Sequence, residues 1–396
     1  MPKTAVSGQR IYSIDALRGI IMIIMALDHL RDFFHYTAAT DDPTNLLTTT
    51  PLLFFTRWIT HFCAPLFVFL AGISAFLMGQ KKTKKELSMF LLKRGCWLII
   101  VEILIVSLAW TYDPLYHVII LQVIWAIGIS MIILALFVWI PANAILICGL
   151  IIICFHNLLD YAEISSQGQV GVIGDLVHHG RFTLIHLIPG HSALIVYAFL
   201  PWTGIMMTGY GMGRLFTHSF VQARRRRILY MSGFLALLLF FILRSVNQYG
   251  DPSHWFLQRS RFFTWLSIIN LTKYPPSLDY ILIMIGTGLI VLGLLDRINN
   301  RSLSFVRVFG RVPFFYYVVH LFLIHAMTVI FFYLKGYTAK DIAPQHLPFR
   351  FRPDHFGFGL GGVYMLWIAV IMILYPLCQW YDQYKSTHRK WWLSYI

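Results

Sequence analysis

Arg18 and His29 stand eleven residues apart within SIDALRGIIMIIMALDHLRDFFH, a mostly apolar stretch that reads as a helix. At 100° per residue, eleven residues make three turns plus about 20°, so guanidinium and imidazole share one stripe, roughly 16 Å apart along the axis. The stripe offers a permanent cation at one depth and a group able to accept a proton near neutral pH at another. A ligand with an anionic head and a long thin arm matches it, with the head at Arg18 and the reactive end near His29. Acyl-coenzyme A has that shape. The competing reading makes both residues polar glue between helices. Asp32, one turn on, or Asp28 could hold the His29 ring in one tautomer, as a carboxylate does for a catalytic imidazole. Asp28 with Arg31, and Asp15 with Arg18, can instead pair at i,i+3.

Other polar residues sit in apolar runs, where an ionisable group costs at least a few kcal/mol and usually faces the bundle interior. His61 follows Arg57 and Thr60 at the same depth as His29, suited to a second base or a substrate hydrogen bond. In GRVPFFYYVVHLFLIH, Tyr316 and Tyr317 precede His320 by four and three residues and form one polar strip with it; His320 is a ligand group or a satisfied core histidine. Glu102 and Gln122 are a lone carboxylate and a lone amide that need interior partners. His178, His179, His186 and His191 have no regular spacing, so no metal is expected. Nucleotide-hydrolysis, zinc-protease, serine-hydrolase and dinucleotide motifs are absent.

The elements that position these groups are membrane helices. Of 396 residues, 58% are hydrophobic and 12% charged, against about 25% charged in a soluble domain. Ten segments are long and apolar enough to be read as spans of about 20 residues: 12–33, 53–79, 91–110, 116–140, 142–159, 192–216, 228–246, 275–296, 313–334 and 359–381. The fold class expected is therefore an all-α polytopic bundle, one integral membrane domain over residues 1–396. Most of the 32 Lys and Arg fall in the connections on the N-terminal side, including 81–94, 214–227 and 297–311, which puts both termini in the cytoplasm. The same placement leaves no basic surface for nucleic acid, despite a formal charge of +15. The histidines lean the other way, and the outward loops 160–191, 247–274 and 335–358 are suited to covering a pocket for a polar or sugar-like acceptor. The five cysteines show no CxxC pair, and the first helix is read as retained, not cleaved.

SIDALRGIIMIIMALDH, THFCAPLFVFLAG and GRVPFFYYVVHLFLIH together resemble bacterial membrane proteins grouped with heparan-alpha-glucosaminide N-acetyltransferase, within the wider transmembrane acyltransferase superfamily. Type-3 membrane acyltransferases of that superfamily carry an arginine, ten residues, then a histidine in the first span, a spacing that Arg18 and His29 reproduce. The resemblance implies transfer of an acyl group, commonly acetyl, from acyl-coenzyme A to a glycan or related acceptor beyond the membrane. In the lysosomal relative the position of His29 looks like asparagine, with the catalytic histidine in the following loop. The base is thus His29, His35 or His61.

The leading expectation is a bacterial inner-membrane acyltransferase in which Arg18, with Arg94 and other inner-side cations, holds the donor's phosphates. His29 acts as base or transient acyl carrier, and Asp32 or Asp28 orients it. The rival is a transporter or flippase for a glycan precursor or small anion; a sensor subunit is a weaker third. Acceptor identity, acyl length, side of donor entry and homo-oligomerisation stay open.

Overall fold

The computed structural model describes residues 11–165, 170–180, 182–298, 302–343, 349–388, 390 and 393. The chain is mostly helical. Its N-terminal part contains α1 (Tyr12–Phe34), α2 (Pro51–Thr60), α3 (Cys63–Gly79), α4 (Lys84–Val101), α5 (Ser107–Thr111), α6 (Val123–Phe137), α7 (Ala142–Phe155), α8 (Leu158–Ser165) and α9 (Gly171–Gly174). The remainder contains α10 (Phe199–Met212), α11 (Gln222–Val246), α12 (Arg261–Ile269), α13 (Leu278–Leu295), α14 (Ser304–Arg311), α15 (Pro313–Leu334) and α16 (Leu360–Thr387).

Six stretches among the described residues are long and apolar enough to cross a membrane: Pro51–Gly79, Ala142–Ala162, Gln222–Val246, Leu278–Leu295, Pro313–Leu334 and Leu360–Thr387. All ten expected segments coincide largely with helices, but four fall short for identifiable reasons. Helix α1 carries Asp15, Arg18, Asp28, Arg31 and Asp32, and α4 starts in a basic loop. Helices α6 and α10 have 15 and 14 residues, or about 20 Å of rise against a hydrocarbon thickness of about 30 Å.

The shortening of α6 and α10 has one cause, and it corrects the all-helical expectation. The first residues of segments 116–140 and 192–216 are strands: β1 (Val118–Leu121) and β3 (His191–Ile195) pair in parallel, Val118 opposite Ser192, and β2 (Thr183–Ile188) pairs antiparallel with β3. The β-branched run Val118-Ile119-Ile120 suits a strand as well as a helix, and apolar content alone does not separate the two.

Helix α1 lies at the centre, packed on α2, α3, α13, α14, α15 and α16, with most of its length buried. Glycine permits its tightest crossing: a Cβ on Gly310 of α14 would collide with the Asp15 carbonyl, and one on Gly19 with the Val306 carbonyl. Such close backbone approach is how helices associate where lipid removes the hydrophobic drive. The outer helices keep apolar flanks exposed, Leu235 and Leu238 of α11 and Met365 and Met372 of α16 among them, as a lipid-facing surface requires. Glu102 lies in a π-helical turn (Glu102–Val106) after α4, and its Oε1 accepts the Gln122 backbone N–H at 2.8 Å just before α6. The lone carboxylate thus serves an orphan donor at a helix start, a structural use.

Candidate active site

Helices α1 and α15 bring His29 and His320 together at the bundle centre. His320 Nδ1 lies 3.0 Å from the Tyr316 carbonyl oxygen, one turn earlier in α15. A carbonyl only accepts, so in the neutral ring Nδ1 carries the hydrogen and Nε2 the lone pair. His29 Nδ1 is 2.7 Å from that Nε2 and must therefore donate to it. The chain of bonds leaves the lone pair of His29 on Nε2. The two rings lie nearly parallel with centroids 4.9 Å apart, and Trp110 presses against His29 at 73° with the same separation. His29 lines a cavity of about 340 Å³; His320 does not reach it.

Neither Asp28 nor Asp32 is hydrogen-bonded to the His29 ring, which the sequence leads one to expect one of them to orient. Arg57 Nη1 donates to both Asp28 oxygens at 2.7 Å, Thr60 Oγ1 donates at 2.8 Å, and Arg31 Nη2 stands 3.0 Å away. Asp28 is thereby committed to α2 and to its own helix. Asp32 pairs with Arg31, and its carbonyl accepts from Arg352. One residue before His29, Asp28 projects about 100° round the helix, toward α2 and away from His320.

The other candidate bases separate from His29. His61 closes α2, its carbonyl accepting from the Tyr280 hydroxyl at 2.7 Å, and it lines a second groove with Asp42, Ser253 and Thr272. Its buried Nδ1 makes no hydrogen bond with any described residue. His35 ends α1, its Nδ1 2.9 Å from Thr37 Oγ1, and lines none of these cavities. Burial, then the nearby Arg31 cation, holds the His35 imidazole below its ordinary pKa.

Arg18 is half a bundle away. Its Nη2 donates to Ser74 Oγ at 2.9 Å, and its Nη1 donates to the Gly310 carbonyl at 3.3 Å and lies 3.5 Å from Asp15. Arg18, Arg94, Arg311 and Lys385 line a cavity of about 360 Å³ whose described wall residues include no carboxylate, although Asp15 stands 3.5 Å from Arg18 and Asp382 accepts from Arg311 at 2.8 Å. This cavity and that of His29 share Phe67, Ile124 and Tyr317. On its other side it shares Arg18, Ser74, Met78 and Arg311 with a wider cavity that reaches Lys81 and His218. The His29 cavity in turn shares Arg57, Lys273 and Tyr274 with the groove of His61. Four cavities therefore adjoin in series through the bundle. Tyr317 stands at the middle junction, whereas Tyr316 and His320 lie behind His29 and contact none of the four.

Lys273, Tyr274, Trp110 and Arg352 also wall the His29 cavity and were not singled out in the sequence. Lys273 and Tyr274 end the loop 247–274, whose fold depends on buried polar groups. Arg244 donates to the carbonyls of Ser253, Ser267, Ile268 and Asn270. Asp251 accepts from Thr272 and Ser277. Burial pushes the Tyr274 phenol up, but the Lys273 and Arg57 cations outweigh it and hold the phenol below its ordinary pKa. The one signal available was a lysine directly before a span, in TKYPPS.

The family model for heparan-alpha-glucosaminide N-acetyltransferase, catalytic, matches residues 10–249, more than half of the chain. The chain belongs to this family. Membership of the heparan-alpha-glucosaminide N-acetyltransferase family, with six helices apolar enough to span, makes the protein an integral membrane transferase. The matched region includes Arg18, His29, His61 and Arg94, while His320 lies beyond it. No curated protein matches the chain.

Proposed function

We propose that this protein transfers an acetyl group from acetyl-coenzyme A to a hydroxyl or amine of an extracytoplasmic glycan, as a ten-span protein of the bacterial cytoplasmic membrane with both termini inside. The positive-inside pattern supports the orientation. Helices α1, α4, α6 and α10 are the four added spans, their shortfall in length or apolarity offset by burial against neighbours.

The donor's chemistry suits the inner cavity. Four cations in its wall, Arg18 and Arg311 being backed by Asp15 and Asp382, fit phosphates, and the junction of Phe67, Ile124 and Tyr317 fits an uncharged arm. The thioester supplies the activated acyl group; the protein's own residues supply the rest. His29 Nε2 takes the proton from the acceptor's attacking O–H or N–H as the new C–O or C–N bond forms, and returns it to the coenzyme A sulfur as the C–S bond breaks. His320 keeps the lone pair on that nitrogen by accepting from Nδ1, and the Tyr316 carbonyl keeps His320 in the matching tautomer. The flanking aromatic groups exclude water, which limits hydrolysis of the thioester. Acceptor selection falls to the outward groove of His61 and Lys273.

The single observation carrying this reading is the relay from the Tyr316 carbonyl through His320 to His29, ending at a lone pair beside the cavity. Its test is acceptor-dependent release of free coenzyme A by the purified protein in detergent, where no gradient exists. A transporter or flippase would release none and would move its cargo unchanged across vesicles. The family match speaks for transfer.

A further inference from the structure

Helix α11 opens with four consecutive arginines, 224–227, which the structure treats differently. Arg225 turns inward and binds both oxygens of Asp296 at 2.8–3.1 Å. The Arg224 guanidinium lies 6.0 Å from the Phe220 ring centroid. Arg226 and Arg227 have no ion pair with any described residue. Together with Ala223, Tyr230, Met231 and Phe234 they line an open groove of about 590 Å³. These positions are i, i+3, i+4, i+7, i+8 and i+11, a continuous stripe on one helix face. None of the six belongs to the cavities of the active site.

The stripe changes chemistry along its length. Two guanidiniums come first, then the Tyr230 ring, seated against Gly293 of α13 so closely that a Cβ there would stand 2.8 Å from it. Met231 and Phe234 follow, 60% and 61% exposed. Gln222–Val246 is apolar enough to span, so its arginine end belongs at the headgroup level and Met231 and Phe234 in hydrocarbon. We propose that this groove binds an anionic phospholipid, its phosphate between Arg226 and Arg227 and an acyl chain along Met231 and Phe234. Charge selects this occupant: two guanidiniums without a carboxylate call for a phosphate, and the apolar half below them calls for a chain attached to it.

The test is native mass spectrometry of the full-length protein in detergent with phosphatidylglycerol or phosphatidylcholine of identical chains, repeated with inorganic phosphate. Wild type should retain phosphatidylglycerol preferentially. R226Q/R227Q should weaken that retention about 25-fold, about fivefold for each guanidinium, while R224Q retains it. Phosphate alone should neither bind measurably nor stabilise, because it lacks the chain. Equal retention of the two lipids by wild type would overturn the proposal whatever the variants do. So would undiminished phosphatidylglycerol binding by a folded R226Q/R227Q variant, equal loss in R224Q, or a lipid-independent dimer occupying the groove.

Discussion

The cavity around Arg18 and the cavity around His29 meet at three shared residues, yet they balance charge in opposite ways. The wall around Arg18 contains Arg94, Arg311 and Lys385 as well and, among the described residues, no carboxylate. The wall around His29 sets Asp28, Asp32, Asp41 and Asp42 against Arg31, Arg57, Lys273 and Arg352. Cations that line a wall while Asp15 and Asp382 stand behind Arg18 and Arg311 still present donors to an anion. A balanced wall costs less to bury and leaves one neutral imidazole free to exchange a proton. Under the proposed function, holding belongs to the Arg18 end of α1 and chemistry to the His29 end.

Breaking the chemistry should have the largest effect. His29→Ala is expected to lower kcat by about 10²–10⁴-fold, the range contributed by a positioned base, with donor KM and gel-filtration profile retained. Asp28→Asn tests the balanced wall: it leaves Arg57 buried without its carboxylate, while Arg31 keeps Asp32, and should cost about 3–5 kcal/mol, read as a lower unfolding midpoint in detergent. His320→Phe removes the group that fixes the His29 tautomer while keeping an aromatic ring. It should reduce kcat by about 10²-fold, the low end for proton-transfer catalysis, and leave donor KM unchanged. Arg18→Gln sharpens the contrast from the inner side, raising donor KM about tenfold for one lost charge-assisted contact with kcat nearly constant. A kcat loss in Arg18→Gln equal to that in His29→Ala would erase the distinction between the two cavities.

Much of this division was legible along one helix. The eleven-residue separation of Arg18 and His29 places them at different depths, and the structure puts them in adjoining cavities. The i,i+3 pairs Asp15–Arg18 and Asp28–Arg31 also form, because α-helical periodicity alone determines them. What α1 could not reveal was the partner of its imidazole. Asp28 and Asp32 were near in sequence, but His320 is 291 positions away and reaches His29 only through the packing of α15 on α1. Lys273 escaped notice for the same reason: its burial depends on Arg244 and Asp251 folding a loop from within. The sheet was hidden because Val118–Leu121 is as apolar as the helix after it, and pairing with His191–Ile195 is a tertiary fact.

The most direct measurement is a cryo-EM structure of the protein with a non-hydrolysable acetyl-coenzyme A analogue. The account predicts phosphates against Arg18 and Arg94, the pantetheine arm passing Phe67 and Tyr317, and the acyl carbon on the Nε2 side of His29. Phosphates bound at the outward groove, or an acyl carbon beside His61 or His35 with His29 remote from it, would contradict it.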